Sequence, residues 1–195
     1  DGMFITVLPL LAAILTRDPV LIAGLTIAQR LPWLLLSMVT GAIADRMDRR
    51  RLMIGADLVR FVIVALLGVA IVFDLANIWW LYACAFLLGV GETLHVNAAQ
   101  ALVPAIVEPV DLLQANARFG TAQIAAAQFI GPPLGTASFA IAQSVPFLAD
   151  AASFAASAAL VSTLPDVHGV AAPTTRIRDD VREGFVFMWH NLAVR

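Results

Sequence analysis

An all-α, polytopic membrane protein is the fold class this sequence predicts, and three observations predict it. Of its 195 residues, 61% are hydrophobic and 13% charged, whereas soluble domains run at about 45–50% apolar and about 25% charged. The apolar residues form long continuous runs rather than the short alternating segments of barrel strands, which leaves helices as the spanning form. Charge concentrates in the breaks between runs, above all at residues 45–51, where four arginines and two aspartates fall within seven positions.

Six apolar segments follow, at roughly 2–15, 19–44, 52–73, 78–103, 112–142 and 145–165. The first falls short of the roughly 20 residues a span needs. No basic stretch precedes it, so it reads as a partial helix rather than a signal peptide. The breaks at residues 16–19, 45–51, 74–77, 104–111 and 143–144 carry the Gly, Pro and charge that punctuate helices. Residues 1–165 therefore read as one transmembrane bundle. Residues 166–175 read as a linker. Ile177, Val181, Phe185, Met188 and Leu192 then recur at helical spacing, which suits an amphipathic helix on the membrane surface or one leading into a further span. The chain starts at Asp1 and stops at Arg195 inside that pattern, and is expected to be part of a longer protein.

Orientation is read from arginine, because all 12 basic residues are Arg. Arg46, Arg49, Arg50 and Arg51 sit in the 45–51 loop, Arg118 follows the 104–111 connection, and Arg176, Arg178 and Arg182 lie in the tail. These segments share one face of the bundle, while the opposite loops hold only Arg17. The positive-inside rule makes the arginine side cytoplasmic. A multi-pass protein of a bacterial inner or plasma membrane is the expected localisation. Net charge is −2, which offers nothing to a nucleic acid, and the single cysteine, Cys84, excludes an intrachain disulfide.

Residues 41–51 read G-A-I-A-D-R-M-D-R-R-R, and in this position they resemble motif A of the major facilitator superfamily. Asp48 stands where many members carry Gly. Gly131-Pro132-Pro133-Leu134-Gly135 resembles the core of the antiporter motif C, with Ala127 and Thr136 replacing its flanking glycines. Among the branches of that superfamily the chain looks most similar to the macrolide and siderophore exporters. The resemblance implies a twelve-helix fold whose two six-helix halves rock about a central cavity. This chain would be the N-terminal half, monomeric when whole. It also implies that Asp45 is a cytoplasmic latch, accepting hydrogen bonds from a helix N-terminus in the other half. Gly41 would let a neighbouring helix approach closely, and Arg46 and Arg49 would pair with nearby acids. Arg50 and Arg51 read as topological charges alone.

Within the spans, Glu92 lies about 21 Å along its segment at about 1.5 Å per residue. An acid there costs ~2.5–3.5 kcal/mol on insertion scales and needs a partner or a wet cavity. Arg30 comes out at similar depth, so Glu92, paired with Arg30, is the candidate proton or substrate-cation site, against a static ion pair between two helices. His95 shares the face of Glu92. A Glu-x-x-His of this kind is half of a di-iron pattern, but no second copy exists, so no metal is expected and a hydrogen-bonded histidine or a relay remains. Asp57 and Arg60 pair with each other or with the motif A arginines. Asp150 is read as snorkelling outward. Gly131, Pro132 and Gly135 suit a hinge or seal, with small residues packing across the half-to-half interface and Pro breaking the ladder. Gln29 and Gln123 are candidate substrate contacts.

No Ser/His/Asp set, zinc pattern or phosphate loop is present, so an enzyme is not expected. The leading expectation is a secondary active exporter of amphipathic drugs or siderophore-like compounds, driven by the proton gradient and needing no cofactor. Its partners would be that small molecule, protons and the bilayer. A lipid or metabolite carrier of the same fold, or a non-transporting scaffold or sensor, are the alternatives.

Overall fold

The computed structural model describes residues 2–164, and among these every element is helical. In chain order the elements are α1 (Gly2–Leu15), α2 (Pro19–Arg46), α3 (Arg49–Val72), α4 (Ile78–Ile106), α5 (Leu112–Ile124), a π-helical segment (Ala125–Ile130), α6 (Gly131–Ile141) and α7 (Val145–Ser162). The tail helix expected beyond residue 166 lies outside the described residues.

The turns are set by local chemistry. Asp18 caps α2, its carboxylate accepting from Val20 N–H at 2.8 Å, with Pro19 opening the helix. The charged 45–51 stretch is shorter as a loop than its composition suggests. α2 runs through Asp45 and Arg46, and Asp48 already caps α3 by accepting from Arg51 N–H at 2.9 Å. Asn77 caps α4 by accepting from Trp79 and Trp80 N–H. The turn before it holds Asp74 at φ 55, a left-handed conformation Asp tolerates better than most residues.

Four helical stretches are long and apolar enough to cross a membrane: α2, α3, the continuous 30-residue stretch from α5 through α6, and α7. α4 is 29 residues long, but Glu92, His95 and Asn97 interrupt its apolar run. The sequence treats residues 112–142 as one span; the chain there switches ladder midway. Pro132 and Pro133 carry no N–H, and their rings would clash with the carbonyls four residues back. The helix widens just before them: Gly131 N–H bonds the Ala126 carbonyl, the i→i−5 pattern of a π-helix.

The core falls into two apolar clusters. The larger joins α1, α2, α3, α4 and α7 around Phe4, Leu8, Leu25, Leu67, Leu81 and Phe147, with the Phe4 and Phe147 rings edge to face at 5.8 Å. The smaller lies toward the charged loop and contains Ala44, Met53, Ala98, Leu102 and Val161. Each of α3, α4 and α7 contributes to both clusters. Between the two on these helices lie Asp57 and Arg60 of α3, Glu92, Thr93, His95 and Asn97 of α4, and Ser157 of α7, which form a polar layer across the middle of the bundle.

Candidate functional site

That layer is organised by Asp57, which is fully buried on α3. Its Oδ1 accepts from the Arg60 guanidinium one turn along and lies 2.9 Å from His95 Nδ1 on α4. Its Oδ2 accepts from Ser157 Oγ on α7 at 2.6 Å. One carboxylate thus ties three helices together. Arg60, 3% exposed, is held from the other side: its guanidinium carbon sits 4.4 Å from the centroid of the Phe154 ring, a cation–π arrangement. Its stem fills a notch at Gly91, where an added Cβ would fall 2.7 Å from Arg60 Cγ. The sequence left open whether Asp57 and Arg60 pair with each other or with the motif A arginines; they pair with each other.

On the α2 side, Asn97 Nδ2 donates to Thr40 Oγ1 at 2.8 Å, and buried Thr93 returns its hydroxyl to the Gly89 carbonyl. The α2–α4 seam is close at Gly89, where a Cβ would meet the Gln29 carbonyl at 2.4 Å.

Beside this layer a cavity of about 310 Å³ opens between α4, α5 and α7. Glu92, half-buried, lines it together with Arg60, His95, Phe119 and Gln123. The pairing of Glu92 with Arg30 is not made. Arg30 is exposed on α2 and lines a separate, mostly apolar groove of about 700 Å³ with Ile27, Leu31, Trp33 and Leu34. Similar depth in two helices does not place two side chains on facing sides, and here they point into different spaces. Among the described residues neither Glu92 nor Arg30 makes an ion pair.

The remaining expected site residues divide. Gln123 is exposed and lines the Glu92 cavity, whereas Gln29 is buried, with its backbone carbonyl at the close approach to Gly89. Asp45 is exposed at the end of α2 and has no hydrogen bond or ion pair among the described residues. Nothing lies within 4 Å of a Cβ added at Gly41; the close approach expected there is not made by any described helix. Arg46 is half-buried. Arg49 Nη1 donates to the Ala101 carbonyl at 2.9 Å, a backbone partner where an acid was expected. Arg50 is more than a topological charge. Its Nε and Nη2 donate to the Val161 and Ser162 carbonyls at the end of α7, where a cation complements the helix dipole. Arg51 keeps an 83% exposed side chain, 3.9 Å from Asp48.

Gly131 and Gly135 do serve close packing, but against α1 inside this bundle. A Cβ on Gly131 would sit 2.7 Å from Gly2 Cα, and one on Gly135 3.1 Å from Met3 Cα. Asp150 does not snorkel: it is 2% exposed and lines a second cavity of about 280 Å³ with Met3, Gln123 and Gly131. No group of three or more His, Cys, Asp or Glu among the described residues converges as metal ligands.

Sequence reasoning missed the junction of His95 and Ser157 on Asp57, and the parts played by Phe119 and Phe154. Ser153 and Ser157 stand one turn apart on an apolar helix, a pattern of small polar residues that marks helix contacts in membranes; that signal was available.

A family described as transmembrane secretion effector matches residues 8–195. No curated protein and no solved structure matches the chain.

Proposed function

The chain belongs to the transmembrane secretion effector family, a transporter family of the major facilitator type, and from that premise we propose that it is a proton-coupled exporter of amphipathic compounds, drug-like or siderophore-like, working by alternating access. Membership accounts for a multi-pass transporter. The observation that supports the finer reading is the polar layer at mid-bundle, with Glu92 beside it on an open cavity. A carboxylate there, without an ion pair among the described residues, is expensive unless water, a proton or a substrate satisfies it. Glu92 takes up the coupling proton. Asp57, Arg60, His95 and Ser157 hold the helix that carries it against α3 and α7.

In this reading Asp45 is the latch. Its exposure and lack of a described partner, and the open space over Gly41, suit residues that engage a second half of the protein on the cytoplasmic side. Gln123 is a substrate contact on the cavity wall.

The test is efflux of a macrolide or dye by the native-length protein in inverted vesicles, driven by a pH gradient. Efflux should stop when a protonophore collapses the gradient and should fall sharply in Asp45→Asn and Glu92→Gln. Gradient-dependent efflux that persists in Glu92→Gln would move the proton site elsewhere. Lack of transport across a broad panel would sink the exporter reading.

A further inference from the structure

We infer that the groove between α3 and α4, in the half of the bundle away from the arginine loop, is a binding site for one phospholipid. Its acyl chain lies over Ala83, and its ester and phosphate oxygens are held at Trp79, Trp80 and Asn77. The inference uses the membrane-spanning fold and not the transport reading.

Shape comes first. The groove has a volume of about 500 Å³ and is walled by Ile63 and Leu66 of α3 and by the stretch of α4 that ends at Leu87. Trp80, Ala83 and Leu87 share one face of α4, at spacings of 3 and 4. Ala83 is exposed and small between two large neighbours, so the tryptophan and the leucine form ridges and the alanine a trough. Cys84 closes the floor, 5% exposed and packed in the larger core cluster. From Asn77 to Leu87 the chain rises about 15 Å at about 1.5 Å per residue, half of a hydrocarbon core of about 30 Å. The groove is thus about as deep as one leaflet.

It also opens onto a surface that meets the bilayer. Leu66 belongs both to the wall and to an exposed stripe of α3, with Val62 and Val69 one turn to either side. In a membrane-spanning helix such a stripe is covered by lipid tails, which are as apolar as leucine. A chain lying in the groove is therefore continuous with that cover.

The mouth selects the other end of the ligand. Among the described residues no charged side chain lines the groove. Asn77 Oδ1 accepts from the Trp79 and Trp80 backbone N–H groups at 3.0 and 3.1 Å, which leaves the amide N–H groups to a ligand. An indole offers a donor and no acceptor. The polar groups left at the mouth are therefore donors, and they match the phosphate and ester oxygens of a lipid. Tryptophan at this end of a span also marks the head-group level. An organic cation would find no carboxylate here. A second transmembrane helix fits less well, because helix contacts in membranes favour small residues, and this wall sets one exposed alanine among Trp, Leu and Ile.

The test is native mass spectrometry of the purified, delipidated native-length protein, titrated in detergent with palmitoyl-oleoyl phosphatidylglycerol or phosphatidylethanolamine. The wild type should take up one lipid ahead of all others. The two head groups should bind within about threefold of each other, because the wall carries no charge. Ala83→Phe fills the trough and should weaken this first binding by at least about tenfold, the loss of roughly two buried methylenes. Ala83→Leu should weaken it by a smaller factor, and it keeps the test open should the larger ring disturb folding. Replacing Trp79 and Trp80 together by Phe keeps two rings and removes two donors, at about two- to tenfold. Val59→Phe adds the same ring to the exposed surface of α3 outside the groove and should leave the first binding unchanged. First-lipid affinity that is unchanged in both Ala83 variants would overturn the inference, as would equal weakening by Val59→Phe, which describes a general lipid surface. A preference for phosphatidylglycerol above about tenfold would place the first lipid at the arginine loop and overturn it too. Unchanged affinity in the double Trp variant would overturn the head-group placement. A dimer broken by Ala83→Phe, with no lipid retained by the wild type, would give the groove to a second copy of the chain instead.

Discussion

α3 meets α4 and α7 through side chains; α6 meets α1 through backbone. In the first region one buried carboxylate collects Arg60, His95 and Ser157 from three helices, and 39% of the apolar stretch of α3 is buried. In the second, glycines stand where side chains would interlock, and only 11% of the apolar stretch running from α5 through α6 is buried. Hydrogen-bonded contacts of the first kind have one best geometry, since moving any helix leaves a polar group unsatisfied in a dry interior. Contacts of the second kind depend only on closeness. The cavity at Glu92 has α4 and α7 on its fixed side and the sparsely buried α5 on the other.

The largest break in this comparison should come from Asp57→Ala, which removes the buried carboxylate bound to the Arg60 guanidinium. A destabilisation of about 3–5 kcal/mol is expected for removing one partner of a buried pair, read as a collapse of Tm in detergent. The double variant Asp57→Ala with Arg60→Met should recover most of it. Next comes the backbone crossing. Gly131→Ala forces a Cβ against Gly2 Cα, with backbone on both sides, and overpacking of this kind costs about 1–3 kcal/mol. Gly91→Ala should cost less than Gly131→Ala, because the Arg60 stem it would meet is a flexible side chain. Smaller still is Arg50→Gln, which removes the cation at the end of α7 and should cost about 0.3–1 kcal/mol, while Arg51→Gln leaves Tm where it is. Gly41→Ala should be neutral to stabilising, because a Cβ meets nothing there. If efflux nonetheless falls in Gly41→Ala at unchanged Tm, the space above it is used by a partner outside the described residues. Unchanged efflux would instead remove Gly41 from the latch.

The contrast also marks how far sequence reading reached. An all-helical membrane fold follows from the apolar runs, since no other form satisfies the backbone in lipid. Asp57 and Arg60, three residues apart on one helix, could be paired by spacing alone. Contacts between helices could not. A residue's depth follows from counting along its span, but its azimuth depends on how each helix is rotated in the bundle. Arg30 and Glu92 agree in depth and face apart, while His95 and Asp57 were never set side by side. The glycines of residues 131–135 were visible as a close-packing signal, but not the helix they approach. Prolines announce that the α ladder fails near residue 132; they do not say that it reforms as a π-helix before them.

That π segment sets the phase of everything after it. A π turn holds more residues than the 3.6 of an α turn, so each residue it absorbs rotates α6 relative to α5 by a fraction of a turn. Gly131 and Gly135 look toward α1, and Gln123 lines both cavities, under one particular setting of that dial. Deleting a single residue from 125–130 would let the widened turn close to an α turn, whereas the same deletion in the α turns on either side would turn the two ends of this span by about 100° against each other at 3.6 residues per turn. The glycines would then leave α1, or Phe119 and Gln123 would leave the Glu92 cavity. The span should therefore tolerate loss of one residue within 125–130 better than loss of one residue from the α turns on either side of it.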